Sequence, residues 1–309
     1  MPKMGLGTYI GLEGKVIPQR EERLRVVQDT ILTALRIGYR HLDLAPAYDN
    51  LPAVKDALHQ AFRPEAEGGL GLRRDDLWIT MKANPWGGVF PVDTLLKDLD
   101  LTYFDLFLWH LPHMGRFFDS EENLTNAWQS LANFDSVKLP RIGVSNCYLP
   151  HLERLLDVCE KESLRSPFAN QIGYNLGEKD SELLAFHQQH QINTIAYSPL
   201  GFQCVDIFRE LPSVQALAQQ VQADPIQAQL AWLMAKDMTV IPASTSEAHL
   251  RANFAAIDYV AAVQAAPELA EVLDQAPNFE GMIATIEDAK QHALRLDWNI
   301  QHASGMKPY

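Results

Sequence analysis

Cysteine is scarce: the chain has three (Cys147, Cys159, Cys204), an odd number with no CxxC pair. Neither a disulfide framework nor a zinc knuckle is indicated. No apolar run approaches the roughly 20 residues of a membrane span; stretches such as LFLWHLP are far shorter. The N-terminal MPKMGLGTYIGLEGK holds no apolar run of signal-peptide length. Positive charge is also in deficit, with 26 basic against 39 acidic residues and a net charge of −13. A nucleic-acid backbone or an anionic membrane is repelled on average by such a chain. Low-complexity tracts and obvious linkers are missing too. The expectation is a cytoplasmic, soluble protein with no nucleic-acid or membrane partner. What the chain does have is 47% hydrophobic residues with 17 Gly and 18 Pro, which excludes disorder and collagen-like structure.

Short apolar runs alternate with longer amphipathic stretches. Eight runs read as buried strands: Met4–Thr8, Tyr39–Leu44, Leu77–Met81, Phe104–Trp109, Arg141–Val144, Ala169–Ile172, Thr194–Tyr197 and Met238–Ile241. Most lack the polar–apolar alternation of a sheet with one wet face, as in parallel sheets covered by helices. Glu21–Ile37 carries Leu24, Val27, Ile31 and Leu35 on one helical stripe, and Leu149–Glu162 does the same with Pro150 suited to its first turn. Asp180-Ser181 and Thr245-Ser246 read as N-caps of two further helices. Eight strands with helical crossovers predict a (β/α)8 TIM barrel, one domain over residues 1–309 with an atypical C-terminal tail from about 275. The alternative is a Rossmann-like open sheet. Its one supporting feature, Gly5-Leu6-Gly7-Thr8-Tyr9-Ile10-Gly11, is spaced GxGxxxG and opens no immediate helix on which a phosphate could sit.

In a barrel the C-terminal strand ends converge on one face, where active sites of this fold lie. The polar residues at those ends are Asp43, with Tyr48 just beyond, then Lys82, His110, Ser145-Asn146, Gln171, Tyr197-Ser198 and Ser244. An Asp, Lys, His and Tyr emerging together point to acid–base chemistry. An ammonium beside a phenol is expected to lower the phenol's pKa, with a carboxylate behind the lysine keeping it charged. An imidazole can orient a substrate oxygen, so the group suits protonation of a carbonyl oxygen that becomes an alkoxide. No nucleophile is backed by a base, and no carboxylate pair suggests glycoside hydrolysis. The electron source must be a hydride-carrying cofactor.

At this point the sequence resembles the aldo-keto reductases. The marks are GYRHLDLAPAY (Gly38–Tyr48), Lys82, DLFLWHLP (Asp105–Pro112), IGVSN (Ile142–Asn146), NQIGYN (Asn170–Asn175), AYSPLG (Ala196–Gly201) and IPAS (Ile241–Ser244). The resemblance implies NAD(P)H-dependent reduction of a small-molecule carbonyl, with a catalytic tetrad of Asp43, Tyr48, Lys82 and His110. It implies that Ser145, Asn146 and Gln171 hold the nicotinamide carboxamide and that Tyr197 stacks on its ring. Ser198, Leu200, Ser244, His249 and Asn253 complete the implied cofactor-binding set. The cofactor so implied is NADP(H), with NAD(H) also open.

Several positions depart from the family pattern. Asn50 is followed by Leu51-Pro52 without the usual acidic residue, and the strand-eight loop reads Pro242-Ala243-Ser244 where a lysine is usual. His249 replaces an arginine and Ala252 a glutamate. The missing lysine and arginine ordinarily grip the adenosine 2′-phosphate. These losses motivate an alternative, a cofactor-binding sensor or interaction protein on the same barrel; a third reading is a barrel isomerase or lyase without nicotinamide. Two HxxH pairs, His110/His113 and His187/His190, lack a third ligand, and no metal is expected. Cys147 is expected to be a buried, inert thiol. Trp86 and Phe117-Phe118 are left between an apolar pocket and the core. Part of the tail, with Trp298 and Tyr309, is expected to border the substrate site.

Overall fold

Eight short strands with alternating side chains build the fold from the inside out. The computed structural model describes residues 1–10, 20–85, 88–112, 116–276 and 278. All eight expected strands form: β1 (Leu6–Gly7), β2 (His41–Leu44), β3 (Trp78–Ala83), β4 (Leu106–Trp109), β5 (Ile142–Ser145), β6 (Ala169–Gly173), β7 (Asn193–Tyr197) and β8 (Thr239–Ile241). They pair in parallel, in chain order. Gly5 N donates to Val240 O at 2.8 Å and Gly7 N to Pro242 O at 3.1 Å, which nearly closes the sheet into a barrel. The Rossmann-like alternative is excluded by that order and closure.

Helices make the crossovers: α1 (Arg20–Ile37), α2 (Leu51–Phe62), α3 (Val92–Leu99), α4 (Glu121–Ala132), α5 (Leu149–Lys161) and α6 (Ser181–Gln189). Between β7 and β8 run α7 (Val205–Arg209), α8 (Pro212–Val221) and α9 (Pro225–Ala235); α10 (Glu247–Ala255), α11 (Val260–Gln264) and α12 (Pro267–Gln275) follow β8. The expected N-caps form, with Asp180 Oδ1 accepting from Leu183 N at 2.9 Å and Ser246 Oγ from His249 N at 3.4 Å. Most crossover helices bury one stripe, such as Val27, Ile31 and Leu35 on α1. By contrast α9 is buried nearly all round, from Ile226 to Met234, because α8, α10 and α11 pack over it. Each fully buried Leu or Ile in these layers contributes about 1.5–3 kcal/mol.

The period of two sorts the strand residues. Leu42, Leu44, Ile79, Met81, Phe107 and Trp109 face the helices. Leu106, Leu108, Ala169, Ile195 and Ile241 form a separate cluster inside the barrel, with Trp78 and Phe168 packed against it. The GxGxxxG segment now has a packing explanation. A Cβ on Gly5 would stand 2.8 Å from His41 Nδ1, and one on Gly7 2.8 Å from Ile241 O. Those glycines let the first strand approach the last.

The structure moves some strand limits. β3 runs through Ala83, β5 through Ser145 and β6 through Gly173, so Lys82 and Ser145 stand within strands rather than beyond them, as Gln171 was already expected to. Their polarity ends the apolar run but not the ladder, because they point into the barrel. The first strand shrinks to Leu6–Gly7 plus a bridge from Met4 to Val240. Among the described residues no helix is long and apolar enough to cross a membrane. Gly11, Trp86, His113 and the tail beyond 278, with Trp298 and Tyr309, lie outside the described residues.

Candidate active site

At the level where the apolar barrel filling ends, strand residues that point inward become polar. Asp43 on β2 and Lys82 on β3 are each 1% exposed and form an ion pair through Oδ2 and Nζ. The other carboxylate oxygen of Asp43 accepts from Gln171 Nε2 at 2.7 Å across the barrel. Gln171 pairs in register with Ser145, whose Oγ donates to Gln171 O at 2.9 Å. Asn146, at φ 56° in the left-handed region that an asparagine tolerates, follows directly. Its Nδ2 donates to His110 O at 3.1 Å and to Ser145 Oγ at 3.0 Å, and its Oδ1 accepts from Tyr197 Oη at 2.8 Å. Five strands thus deliver one connected polar layer.

Tyr48 reaches this layer from a short 3-10 turn, Pro46–Tyr48, entered from extended Ala45 and closed by Asp49 at φ 49°. Thr8 Oγ1 donates to Asp43 O at 2.7 Å, and buried Asn50 Nδ2 donates to Thr8 O at 2.7 Å, so the end of the first strand braces the turn. Exposed Asp49 is also paired with Arg20 and Arg23. The Tyr48 ring lies 5.1 Å from Lys82 Nζ and 6.2 Å, edge-on, from the His110 ring. Thr8, Asn50 and Tyr9, whose ring centroid lies 5.1 Å from that of Tyr48, were not singled out from the sequence. The only available signal was their adjacency to the GLGT and Tyr48 segments.

The electrostatics depart from expectation in one respect. Lys82 was expected to lower the Tyr48 pKa, but the phenol is raised well above its ordinary value. Desolvation is the first cause, followed by the Asp43 carboxylate, Tyr197 and Tyr9. Because Lys82 is already paired with Asp43, its field at the phenol is largely cancelled and burial wins. Burial likewise lowers the Lys82 pKa, against the opposing pull of Asp43. His110 is pushed down to about 3 by burial and then by Lys82, so its imidazole is neutral at ordinary pH. The group therefore holds a protonated phenol and a neutral imidazole beside a buried ion pair.

The nicotinamide-type donor set (Ser145, Asn146, Gln171) fits a carboxamide: buried or half-buried amides and a hydroxyl at one level, with the Tyr197 ring beside them. Ser198, at φ 47°, starts the turn to Gly201, whose N–H donates to Ser198 O at 2.9 Å. Gly201, at φ 76°, has no room for a side chain, since its Cβ would lie 2.1 Å from Phe208 Cε2. Leu200 is half-buried in this turn and packs against the core. Ser244, His249 and Asn253 form a separate group on the β8–α10 connection and α10. Ser244 and Asn253 are buried, whereas His249 is exposed. Arg251 is exposed and tied to Glu247 at 2.6 Å. Position 243, where the family pattern has a lysine, is a half-buried alanine. The set fits the nicotinamide end of the cofactor better than a 2′-phosphate.

Other candidates resolve into the core. Phe117 and Phe118 pack on Trp109, with ring centroids at 5.1 and 6.3 Å, in the layer between sheet and helices. All three cysteines are free and buried, and burial drives the Cys147 thiol up. His187 is buried in hydrogen bonds, and among the described residues no group of three potential ligands gathers for a metal.

Residues 3–273 match the model of the aldo/keto reductase family. A methylglyoxal reductase of Yersinia pestis is 30% identical over 266 residues, covering 84% of each chain. The aldose reductase of Schistosoma japonicum superimposes with a TM-score of 0.66 at 27% identity, again over 84% of both chains. An aldo/keto reductase from Brucella melitensis gives a TM-score of 0.69 at 27% identity, over 87% of this chain and 95% of its own.

Proposed function

Starting from the fact that the chain belongs to the aldo-keto reductase family and is an oxidoreductase, we propose that it reduces small aldehydes or ketones to alcohols with NADPH or NADH. The observation that carries this reading is the contact of Gln171 with the Asp43–Lys82 pair. It joins the residues suited to a nicotinamide to those suited to acid–base chemistry in one buried layer. When bound, a reduced nicotinamide supplies the hydride to the carbonyl carbon. Tyr48 holds the proton that passes to the carbonyl oxygen, and its raised pKa keeps that proton in place at neutral pH. Neutral His110 donates a hydrogen bond to the same oxygen and fixes its direction. Lys82, held charged by Asp43, offsets the negative charge that develops as the phenol proton leaves.

Ser145, Asn146 and Gln171 orient the carboxamide, and Tyr197 covers the ring. Ser198, Leu200, Ser244, His249 and Asn253 serve the rest of the cofactor. The Y. pestis relative makes methylglyoxal a natural first substrate to try. The test is NADPH oxidation with methylglyoxal and a panel of small aldehydes, repeated in Tyr48→Phe. Aldehyde-dependent oxidation that nearly disappears in the variant is expected. Full activity in the variant would remove Tyr48 as the acid, and tight cofactor binding without turnover on any carbonyl would favour the sensor reading.

A further inference from the structure

Behind the Ser145–Asn146 segment, on the outer face of the barrel, a second buried polar chain runs through three elements. Asn170 alternates with Gln171 on β6 and so points away from the active site, toward the helices. Its amide grips one peptide group on each side of Cys147. Oδ1 accepts from Cys147 N at 3.4 Å, and Nδ2 donates to Cys147 O at 2.6 Å. These two backbone partners fix which end of the amide is which, since a flipped amide would set oxygen against oxygen. The second proton of Nδ2 is directed at His187 Nε2 on α6, 3.0 Å away. An amide nitrogen only donates, so Nε2 must be the bare nitrogen. The imidazole proton then sits on Nδ1, which lies 2.9 Å from Thr194 Oγ1 on β7. Asn170 and His187 are fully buried and Thr194 is 5% exposed. Every side-chain N–H of Asn170 and His187 is therefore assigned a partner.

We infer that the Thr194–His187–Asn170 chain is a positioning device for the Ser145–Asn146 segment, and through it a determinant of how tightly the nicotinamide end of the cofactor is held. The inference rests on the proposed role of Ser145 and Asn146. Asn146 occupies a left-handed conformation, and the residue after it is clamped by Asn170. Breaking the chain at His187 frees one Asn170 proton in a dry site, and the amide relaxes by letting go of Cys147. The carboxamide-binding groups then lose their spacing, whereas Tyr48 and Lys82, which Asn146 does not touch, keep theirs.

The experiment measures dissociation constants of NADPH and NADH by quenching of tryptophan fluorescence in the full chain, beside thermal melts and the Michaelis constant for the aldehyde. His187→Leu is expected to weaken both cofactors roughly tenfold, in line with an unsatisfied buried donor, and to leave the Michaelis constant of the aldehyde within about twofold. His187→Gln, which can accept from Asn170 and donate to Thr194, is expected to restore most of the binding. If His187→Leu does not fold, Thr194→Val cuts only the far end of the chain, and a weakening of roughly two- to threefold is expected from it. Asn146→Ala is the control for the underlying site reading. Weak binding in Asn146→Ala with unchanged cofactor constants in His187→Leu, or in Thr194→Val if that is the variant that folds, overturns the inference and leaves the site reading standing. A lower melting temperature with unchanged constants has the same meaning. Unchanged binding in Asn146→Ala overturns both.

Discussion

The residues at the C-terminal ends of β5, β6 and β7 and those after β8 serve, on our reading, two ends of one long ligand, yet they are built in different ways. At the proposed nicotinamide end, Ser145, Asn146, Gln171 and Tyr197 are bonded to one another and to the Asp43–Lys82 pair, and behind them Asn170 is bonded to Cys147 and His187. At the β8–α10 end, Ala243 carries no charge, His249 is exposed and Arg251 is engaged with Glu247. The first end is specified by the barrel interior, where each polar group must find a partner because burial makes an unpaired one expensive. The second depends on surface charges that cost little to change. On this reading, chemistry is fixed by the fold's core, while the choice between cofactors is left to exposed side chains.

The comparison can be broken most forcefully at Tyr48. If the interior end carries the reaction, Tyr48→Phe lowers turnover by about 10²- to 10⁴-fold while cofactor dissociation constants stay within about twofold. Next in size is Lys82→Met. It strands the Asp43 carboxylate in a buried site and should destabilise the chain by roughly 3–5 kcal/mol, read from denaturant melts. Adding Asp43→Asn should recover part of that loss. Equal melting curves for wild type and Lys82→Met would mean that the pair is not desolvated as described.

Much of this contrast was legible in the sequence, and unevenly so. The eight strands and the placement of Asp43, Lys82, His110 and Gln171 at one end followed from short apolar runs capped by polar residues. Strand limits were less legible at Lys82 and Ser145, because an inward-facing polar side chain looks like the end of a strand when only hydropathy is read. The raised pKa of Tyr48 was not legible at all, since it depends on burial and on the neutralisation of Lys82 by Asp43 at short range. Asn170 and His187 were equally hidden. A buried asparagine and histidine separated by 17 positions announce nothing until α6 folds back over β6.

A third prediction sharpens the interior side through pH. Burial holds His41 and His110 at about 3 and His187 at about 4 in the folded chain, against an ordinary value of 6.5. The unfolded chain takes up these protons first. Their contribution to stability is thus complete above about pH 6.5 and is lost as pH falls toward the folded values. Each histidine should contribute a slope of about 1.4 kcal/mol per pH unit within that window. Replacing His187 by Gln should remove about one such increment from the slope measured between pH 6 and 5; an unchanged slope would contradict the buried, neutral assignment.

The smallest effect is expected at the exposed end. Ala243→Lys combined with His249→Arg should tighten NADPH roughly tenfold, two screened charge-assisted contacts to a phosphate, and leave NADH unchanged. Equal tightening of both cofactors would point to general charge rather than to the 2′-phosphate.

The contrast between the two ends is tested most directly in the unaltered chain, by measuring dissociation constants for NADPH and NADH side by side at one ionic strength. With the nicotinamide end supplying the common grip and the β8–α10 end lacking its cations, both cofactors should bind, with constants within about tenfold of each other, one to two charge-assisted contacts' worth at most. A native preference for NADPH of about a thousandfold would show that the phosphate is held by other residues and would contradict the account.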